Sequence, residues 1–473
     1  MGTINSAFSL MTGALDADQA ALNVVANNVA NANTPGYTEE TPNWQENQPI
    51  TINGVSYGAG VTETGATSVR DRVLTERLDQ QQQLASASGS RLTALNTLQA
   101  LFTPDSGSTS ATAGDIGSDL TSFFSSFSSL EANPTNNALR QQVLSTATTL
   151  AGDVSNAAAS LNSQRSALDQ EASGVTSQVN ALTGAIAQLN RQIQSTSPNA
   201  DAGTLEDQRQ QDLSQLSQLI GINQITTENN GLSITTTSGQ LLVSEGSSFQ
   251  LTTGTVNGVT DFFLGGTDIT SQLTGGGGEL GGYLTARDQD IPSALGSLDQ
   301  LAYNVSTQVN TLNNAGTDLD GVTGTVANPL YIFNQPTVVA GSAANMSVVM
   351  TDPNQIAAAG LGQGMGDNSN ATAMANLANQ SIVNGQIPTD YYSSFVSTLG
   401  STVSSVQTEN TAQNASVTQL QTQNNALSSV NLNDEASSMT TLERSYQAAS
   451  QVFTMLNTIM ASALNLGDQT AVS

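Results

Sequence analysis

Cysteine, histidine and lysine are all missing from this chain of 473 residues, so its ten cations are all arginine. Without cysteine there are no disulfides, thiol nucleophiles or thiolate metal sites, and without histidine there is no imidazole base. Without lysine there is no Schiff base and no P-loop lysine. Paired carboxylates remain, but aromatics make up only 4% of the chain, too few for the sugar platforms typical of glycosidases. The composition therefore predicts a protein that is not an enzyme and carries no cofactor or metal.

Charge is also scarce, because charged residues make up 10% of the chain against about 25% in an average globular protein. The formal net charge is −28, which predicts no binding to nucleic acid and repulsion from an anionic membrane. Long apolar runs are absent, and the first residues lack the basic region and apolar core of a secretory signal. We therefore predict a soluble chain whose copies repel one another weakly before they assemble.

Two apolar stripes, one near each end of the chain, repeat at steps of three, four or seven residues. Such spacing is typical of helices that wrap around each other in a left-handed coil. Neither end offers a matching stripe with which its own stripe could pair. We therefore expect the two ends to pair with each other and to form an assembly interface between copies. Asp18 interrupts the first stripe. The stripes comprise Ile4, Phe8, Met11, Leu15, Leu22, Val25 and Val29, and then Leu432, Ala436, Met439, Leu442, Tyr446, Ala449, Phe453, Leu456, Met460 and Ala463.

Between the stripes the pattern changes from helical to β-type and back. Residues 136–195 contain no proline and predict one long helix, whereas short β-type runs separated by glycine and asparagine begin near residue 221. The predicted fold class is mainly α with an inserted β-rich domain (α+β, multidomain). The predicted segments are an N-terminal assembly helix with an extended segment (1–60), a helical bundle (61–220), a β-rich outer domain (221–282), a helix returning to the bundle (283–316), an irregular β-leaning segment (317–368), the second part of the bundle (369–428) and a C-terminal assembly helix (429–473).

Two short motifs predict turns. Gly276, Gly278 and Gly281 match the dinucleotide fingerprint as a string, but the preceding strand and the later acidic residue are missing. Asp318-Leu319-Asp320-Gly321 resembles part of a calcium loop but lacks ligands at loop positions one and twelve. In the extended segment, the single Trp44 is expected to pack against neighbouring helices.

Asparagines crowd the end of the first helical stretch, at positions 23, 27, 28, 31 and 33. Asparagine is a mediocre helix former, so this cluster is costly unless the side-chain amides are bonded. Local capping explains Asn33 and one further residue. For the others, including Asn27, Asn28 and Asn31, hydrogen bonds across helices or across copies are the favoured interpretation.

The same region resembles a known family. Ala26-Asn27-Asn28-Val29-Ala30-Asn31-Ala32-Asn33-Thr34-Pro35-Gly36-Tyr37 is similar to the N-terminal signature of bacterial flagellar rod, hook and hook-associated proteins. Ser429-Val430-Asn431-Leu432-Asn433-Asp434-Glu435-Ala436 and Leu442-Glu443-Arg444-Ser445-Tyr446-Gln447-Ala448-Ala449 are similar to the matching C-terminal signature. The resemblance adds Pro35, Gly36 and Tyr37 to the expected interface.

The middle of the chain, at Gly281–Asp288, Leu205–Arg209 and Thr351–Pro353, is similar to members that join the hook to the filament. The resemblance implies paired terminal helices forming an inner tube, with the bundle and the β-rich domain outside it. It also implies a structural adaptor at the hook–filament junction, in the extracellular flagellum. The implied partners are a ring of identical subunits, the hook protein, a second junction protein on the filament side and a cytoplasmic chaperone, with type III export and no cleaved signal peptide.

Two alternatives stay open from the sequence. Within the same class, a hook or rod protein would polymerise alone into a long tube. From a different class, a secreted adhesin or glycan-binding protein would bind sugars through residues 221–351.

Overall fold

A computed structural model describes residues 2–52, 54–102, 115–196, 201–256 and 258–469. Long helices dominate it, and one π-helical turn (Ala286–Asp290) leads directly into the eighth helix. The helices are α1 (Gly2–Asn31), α2 (Arg72–Ala100), α3 (Ile116–Ala132), α4 (Asn137–Thr196), α5 (Thr204–Leu219), α6 (Thr270–Leu273), α7 (Gly278–Thr285), α8 (Ile291–Ala315), α9 (Ser369–Asn376), α10 (Pro388–Ser428) and α11 (Leu432–Gln469).

The strands form four small antiparallel groups with short connections. The order is β1–β4 in a ribbon, β2–β3 in a hairpin, β5–β6–β7–β8 in one sheet and β9–β10–β11 in another. The β1–β4 register shifts by one residue between Asn43 and Trp44. The strands are β1 (Glu40–Glu46), β2 (Ile50–Ile52), β3 (Val55–Tyr57), β4 (Val61–Ser68), β5 (Ile222–Thr226), β6 (Leu232–Thr236), β7 (Leu241–Ser244), β8 (Ser247–Ser248), β9 (Leu251–Val256), β10 (Val259–Leu264) and β11 (Thr267–Asp268).

The chain divides into two compact units. The first, here called the terminal unit, comprises Met1–Gln83, Gln178–Leu251 and Asn414–Ser473; the second, the central unit, comprises Leu84–Ser177 and Thr252–Gln413. The fold class is confirmed, because long helices are combined with a β-rich region in small sheets. The units group the chain differently from the predicted segments, whose boundaries stay a prediction.

In the terminal unit, side-chain amides on helices hold the edges of the sheet. Gln83 of α2 donates from Nε2 to the Ile222 carbonyl at 3.0 Å and accepts the Ile222 N–H at 3.0 Å, as a neighbouring peptide would. Asn190 of α4 donates to the carbonyls of Leu232 and Glu245, each at 2.7 Å. The buried Gln and Asn of these helices therefore satisfy strand groups that would otherwise be unpaired.

Asp79 is a buried carboxylate of the same region. Its Oδ2 accepts from the amides of Gln210 on α5 at 2.8 Å and Gln224 on β5 at 2.9 Å. Burial outweighs these two hydrogen bonds and raises the pKa of Asp79 from 3.8 to about 6. Because the folded-state pKa lies above the ordinary value, Asp79 favours folding most below pH 3.8. That contribution is lost as the pH rises through about 6.

We expect Asp79→Asn to raise the free energy of unfolding at pH 8 by about 2 kcal/mol, because the neutral amide avoids burying a charge. At pH 5 the gain should be smaller. Urea unfolding, followed by the fluorescence of Trp44 in the same unit, measures both values. Glu228→Gln, at an exposed position of the same unit, is the control, and equal gains at the two pH values would contradict the assignment.

The central unit has a continuous apolar core from α3, α4, α8, α9 and α10. The ring of Phe123 lies at its centre, with centroids 5.3 Å from Phe124 and Phe127 and 5.4 Å from Phe333. Arg287, also buried, donates to Asp169 at 2.6 Å and to Asp288 at 2.8 Å. The interior of this unit therefore combines packed aromatic rings with a buried arginine, Arg287, whose charge is paired with carboxylates.

The segment predicted to be β-leaning contains isolated bridges, such as Phe333 with Val348, and no strand among the described residues. Two buried asparagines of α8 satisfy its backbone instead. Asn310 bonds the carbonyl and N–H of Phe333, and Asn313 bonds the Leu330 carbonyl and the Ala357 N–H, all at 2.8–3.0 Å. The backbone of this segment is therefore hydrogen-bonded by side chains from a helix and not by neighbouring strands. A pattern of alternating apolar and polar residues does not distinguish the two cases.

The two short motifs differ in outcome. Asp318 accepts the N–H groups of Asp320 and Val322 through Oδ1, and Gly321 has φ +78°, so a turn is confirmed here. Gly278 begins α7 and Gly281 lies inside that helix. The predicted turn is therefore confined to the start of the motif, where Gly277 and Gly278 have φ +96° and +68°, and α7 occupies the rest.

Candidate assembly interface at the chain termini

The two terminal helices pair in opposite directions within the terminal unit. Near one end, the rings of Phe8 and Phe453 meet edge to face, with centroids 5.1 Å apart. Near the other end, Asn28 donates to Glu435 at 2.8 Å. The sequence numbers of the partners rise on α1 as they fall on α11, so the pair is antiparallel. The expected pairing of the two ends is therefore present within one copy.

The predicted interface residues are not equally covered. Val25 and Asn28 are fully buried, and the side chain of Ile4 is outside the described residues. The half-buried residues are Phe8, Met11, Leu15, Leu22, Asn27, Asn31, Tyr37, Met439, Leu442, Phe453, Leu456 and Met460. The exposed residues are Val29, Asn33, Pro35, Gly36, Leu432 and Tyr446. Two helices alone cannot cover an apolar stripe on all sides, so most of the predicted contacts remain partly open.

A second stripe on α11 was missed by the sequence analysis. Val452, Met455 and Ile459 are exposed by 42, 63 and 47%, respectively. They follow Arg444 and Ala448 at steps of four, four, three and four. The same periodicity that revealed the first stripe would have found the second.

Asn28 connects three elements through one side chain that is 1% exposed. Its Nδ2 donates to the Glu40 carbonyl of β1 and to the Glu435 carboxylate of α11, both at 2.8 Å. Its Oδ1 accepts the Glu40 N–H at 3.0 Å and the Tyr37 hydroxyl at 2.8 Å. Asparagine is suited to this position because its amide both donates and accepts. Asn28 confirms the expected hydrogen bonding across helices.

Asn27 and Asn31 bond each other and the turn that follows the helix. Asn31 donates to the carbonyl and the side chain of Asn27, and Asn27 donates to the Tyr37 hydroxyl at 3.3 Å. Asn33 is exposed. Within one copy, local bonding therefore explains Asn31, and hydrogen bonds from this cluster to a second copy stay a prediction.

A tight turn brings Tyr37 back onto the helix that precedes it. Gly36 has φ +81°, a conformation that strains residues with a side chain, and the Tyr37 N–H donates to the Thr34 carbonyl at 3.2 Å. Burial, reinforced by the nearby carboxylate of Glu40, raises the pKa of Tyr37. The hydroxyl therefore keeps its proton and remains a donor to Asn28.

An ion cluster that the sequence analysis missed fixes the chain after this turn. Asp207 of α5 accepts the N–H of Thr38 at 3.1 Å and its hydroxyl at 2.8 Å, and it also pairs with Arg70. Glu206, 2% exposed, pairs with Arg70 at 2.8 Å and Arg72 at 2.9 Å. These residues are far apart in sequence, and no periodicity links them.

A hollow of about 440 Å³ lies beside Asn28, between α1, β1 and α11. Val25, Trp44 and Leu442 contribute apolar surface, and Glu39, Glu40 and Glu435 are the acidic residues of the lining. The other lining residues are Asn28, Thr41, Pro42, Ser437, Ser438 and Thr441. Burial raises the pKa of both Glu40 and Glu435. Trp44 itself is 49% exposed, so its expected packing against helices is only partial.

Neither a cluster of metal-ligating side chains nor a membrane-spanning helix is present in the part of the chain that the structure describes. No group of three or more acidic residues there is arranged to hold a metal ion. Among the same residues, no helix combines the length and the apolar character that crossing a membrane requires.

Known proteins resemble this chain over nearly its whole length. The family model of the flagellar hook-associated protein FlgK helical domain matches residues 106–326, and that of the flagella basal body rod protein matches residues 11–38. Flagellar hook-associated protein 1 of Salmonella typhimurium is 26% identical over 96% of this chain and 98% of the relative. The Escherichia coli K12 protein of that name is 26% identical over 98% and 99%, and the Bacillus subtilis protein is 25% identical over 96% and 96%.

A solved structure shares the fold. The flagellar hook junction protein FlgK from Burkholderia pseudomallei superposes with a TM-score of 0.63 at 18% identity, covering 73% of this chain and 99% of that one. The helical-domain match, the full-length relatives and the shared fold point the same way: the chain is similar to flagellar hook-associated protein 1 (FlgK) over nearly its whole length.

Proposed function

We propose that this chain is a structural component of the bacterial flagellum that joins the hook to the filament. The observation that carries the proposal is the antiparallel pair of α1 and α11, whose stripes are half-buried and whose second stripe is exposed. A pair of helices with this much open apolar surface favours association with further helices. The chain acts by binding its neighbours and not by catalysis.

We infer the binding partners of the chain from the same pair of terminal helices. Copies of the chain associate with one another and with other axial components of the flagellum. We infer that they form a ring that contacts the hook protein on one side and a second junction protein on the filament side. Before assembly, we infer, a cytoplasmic chaperone covers the terminal stripes, and the chain passes through the type III export apparatus without a cleaved signal peptide to reach the extracellular flagellum.

The energy of assembly comes from the apolar residues left open in one copy. Completing the burial of a large apolar side chain that is half exposed contributes about 1 kcal/mol. Several such side chains on each copy therefore contribute several kcal/mol to each contact between copies.

Purified hooks stripped of their filaments test the function. Full-length chain should add a thin cap at the distal tip, visible by electron microscopy, whereas chain lacking residues 1–37 and 429–473 should not bind. Long tubes grown from the chain alone would indicate a hook-type subunit. Absence of binding by the full-length chain would contradict the proposal.

We expect Leu15→Asp and Leu456→Asp each to reduce capping by more than about tenfold, because each places a charge in an apolar layer. Circular dichroism should show that the central unit stays folded. Thr458→Asp is the matched control, since it adds the same charge to the exposed side of α11. Normal capping by both leucine variants would contradict the proposed role of the stripes.

A further inference from the structure

One carboxylate lies in the apolar stripe of α1. Asp18 stands three positions after Leu15 and four before Leu22, where the repeat calls for an apolar residue. Its Oδ2 is buried and accepts no hydrogen bond from any residue that the structure describes. A carboxylate oxygen buried without a donor is unfavourable. The residue as a whole is only half-buried, so part of its side chain stays open to a partner from outside the copy.

The terminal helices contain one basic side chain that could be this partner. Arg444 is the single cation of α11, and α1 has none. It is exposed, and it forms no ion pair with any of the described carboxylates. Each terminal helix therefore carries one charge that a single copy leaves unpaired.

The two charges lie at the same height along the helix pair of one copy. Asp18 lies midway between Phe8 and Asn28, ten positions from each. These two residues mark the contacts of α1 with α11. Arg444 lies midway between their two partners on α11, nine positions from each. Since the helices are antiparallel, the midpoints are level with each other.

Arg444 nevertheless points away from its own α1. Its distance of nine positions from both Glu435 and Phe453 is about two and a half turns, at about 3.6 residues per turn. Both of those residues contact α1, so the arginine leaves α11 on the side opposite α1. The exposed stripe at Val452 and Met455 is on that outer side as well. Pairing of the two charges within one copy is therefore excluded by geometry.

We propose that Arg444 of one copy pairs with Asp18 of a second copy, whose α1 packs against the exposed stripe of the first copy's α11. The inference rests on the proposed function and names the contact through which copies join. Because Arg444 points away from its own α1, each copy binds one neighbour through Arg444 and another through Asp18. Such a heterologous contact generates a ring where its rotation closes.

The apolar residues fit the register that this ion pair sets. Copies in a ring point the same way, so α11 of one copy runs antiparallel to α1 of the next. Val452 lies about 12 Å beyond the arginine, and Met11 lies about 10.5 Å before the aspartate. The corresponding distances are about 16.5 Å for Met455 and about 15 Å for Phe8. The ion pair therefore places Val452 beside Met11 and Met455 beside Phe8, in the way that one polar residue fixes the register of a coiled coil.

The absence of cysteine from the chain gives a clean cross-linking test. Asp18→Cys chain and Arg444→Cys chain, carrying tags of different size, are mixed at high concentration, assembled on stripped hooks and treated with a short bismaleimide. Only contact between copies can join the two tags. We expect a cross-linked heterodimer on denaturing gels.

The matched control replaces Asp18→Cys with Asp16→Cys, at an exposed position about 200° around α1. Wild-type capping together with no more heterodimer from the Asp18 chain than from the Asp16 chain would overturn the inference and leave the proposed function intact. Failure of the wild-type chain to cap hooks would overturn the proposed function itself.

A charge swap supplies an independent readout. Arg444→Asp should lower the affinity for hook tips about tenfold or more, since it places two carboxylates at the contact. Arg444 is exposed in one copy, so folding is expected to be unchanged. Adding Asp18→Arg to Arg444→Asp should recover most of the loss, whereas adding Asp16→Arg, with the same net charge, should not. Undiminished capping by Arg444→Asp, or equal recovery by the two double variants, would overturn the inference.

Discussion

Asn28→Ala is expected to destabilise the terminal unit by about 3 kcal/mol and to abolish capping of hooks. The substitution removes hydrogen-bond partners from the Glu40 N–H, the Tyr37 hydroxyl and the Glu435 carboxylate at once. Each buried polar group left unpaired costs about 1–3 kcal/mol, and part of that cost is relieved by entry of water. Urea unfolding followed by Trp44 fluorescence and hydrogen exchange in α11 measure the effect.

Asn31→Ala is the matched control. It removes an asparagine three positions away whose hydrogen bonds remain within α1 and the following turn. We expect it to cost less than about 1 kcal/mol and to leave capping intact. Equal effects of the two substitutions would show that Asn28 holds the three elements together no better than a local cap does.

Glu206→Gln is expected to cost about 3–5 kcal/mol, because it leaves Arg70 and Arg209 buried with less negative charge nearby. Glu206 lies between Arg70 at 2.8 Å and Arg72 at 2.9 Å, with Arg209 at 3.9 Å. Asp207 stays paired with Arg70 and limits the loss. The same fluorescence-detected unfolding measures it.

Arg72→Ala controls for the loss of an ion pair as such. It removes a partner of the same Glu206, but the Arg72 side chain is 58% exposed and water replaces the lost contact. Exposed ion pairs contribute about 0–1 kcal/mol. A loss from Arg72→Ala as large as that from Glu206→Gln would mean that burial does not set the strength of this cluster.

The long helices could be predicted because their cause is local. The proline-free region expected at 136–195 folds as α4 (Asn137–Thr196), and the first stripe lies on α1 (Gly2–Asn31). In these regions periodicity and the absence of breakers act within a few residues, so the sequence pattern alone carries the information.

Side-chain hydrogen bonds that join distant elements could not be predicted in the same way. In the segment after α8, side-chain amides of Asn310 and Asn313 on the helix bond the backbone where strand pairing was expected. A Cβ at Gly281 would lie 3.3 Å from the Gly276 nitrogen, a close approach that the string of glycines does not specify. For both asparagines the group that is contacted lies far away in the sequence, where a pattern of nearby residues carries no information about it. Before folding, many backbone groups are chemically equivalent as hydrogen-bond partners.

The sequence by itself determined that the two ends are amphipathic helices, that catalysis by cysteine, histidine or lysine is excluded, and that asparagines gather where the first helix ends. Tertiary structure decided which asparagine bonds across elements, placing Asn28 against Glu40 and Glu435 while Asn31 bonds locally. The reason is physical: helical periodicity is fixed by short-range geometry, whereas the choice among equivalent polar partners depends on which elements pack together.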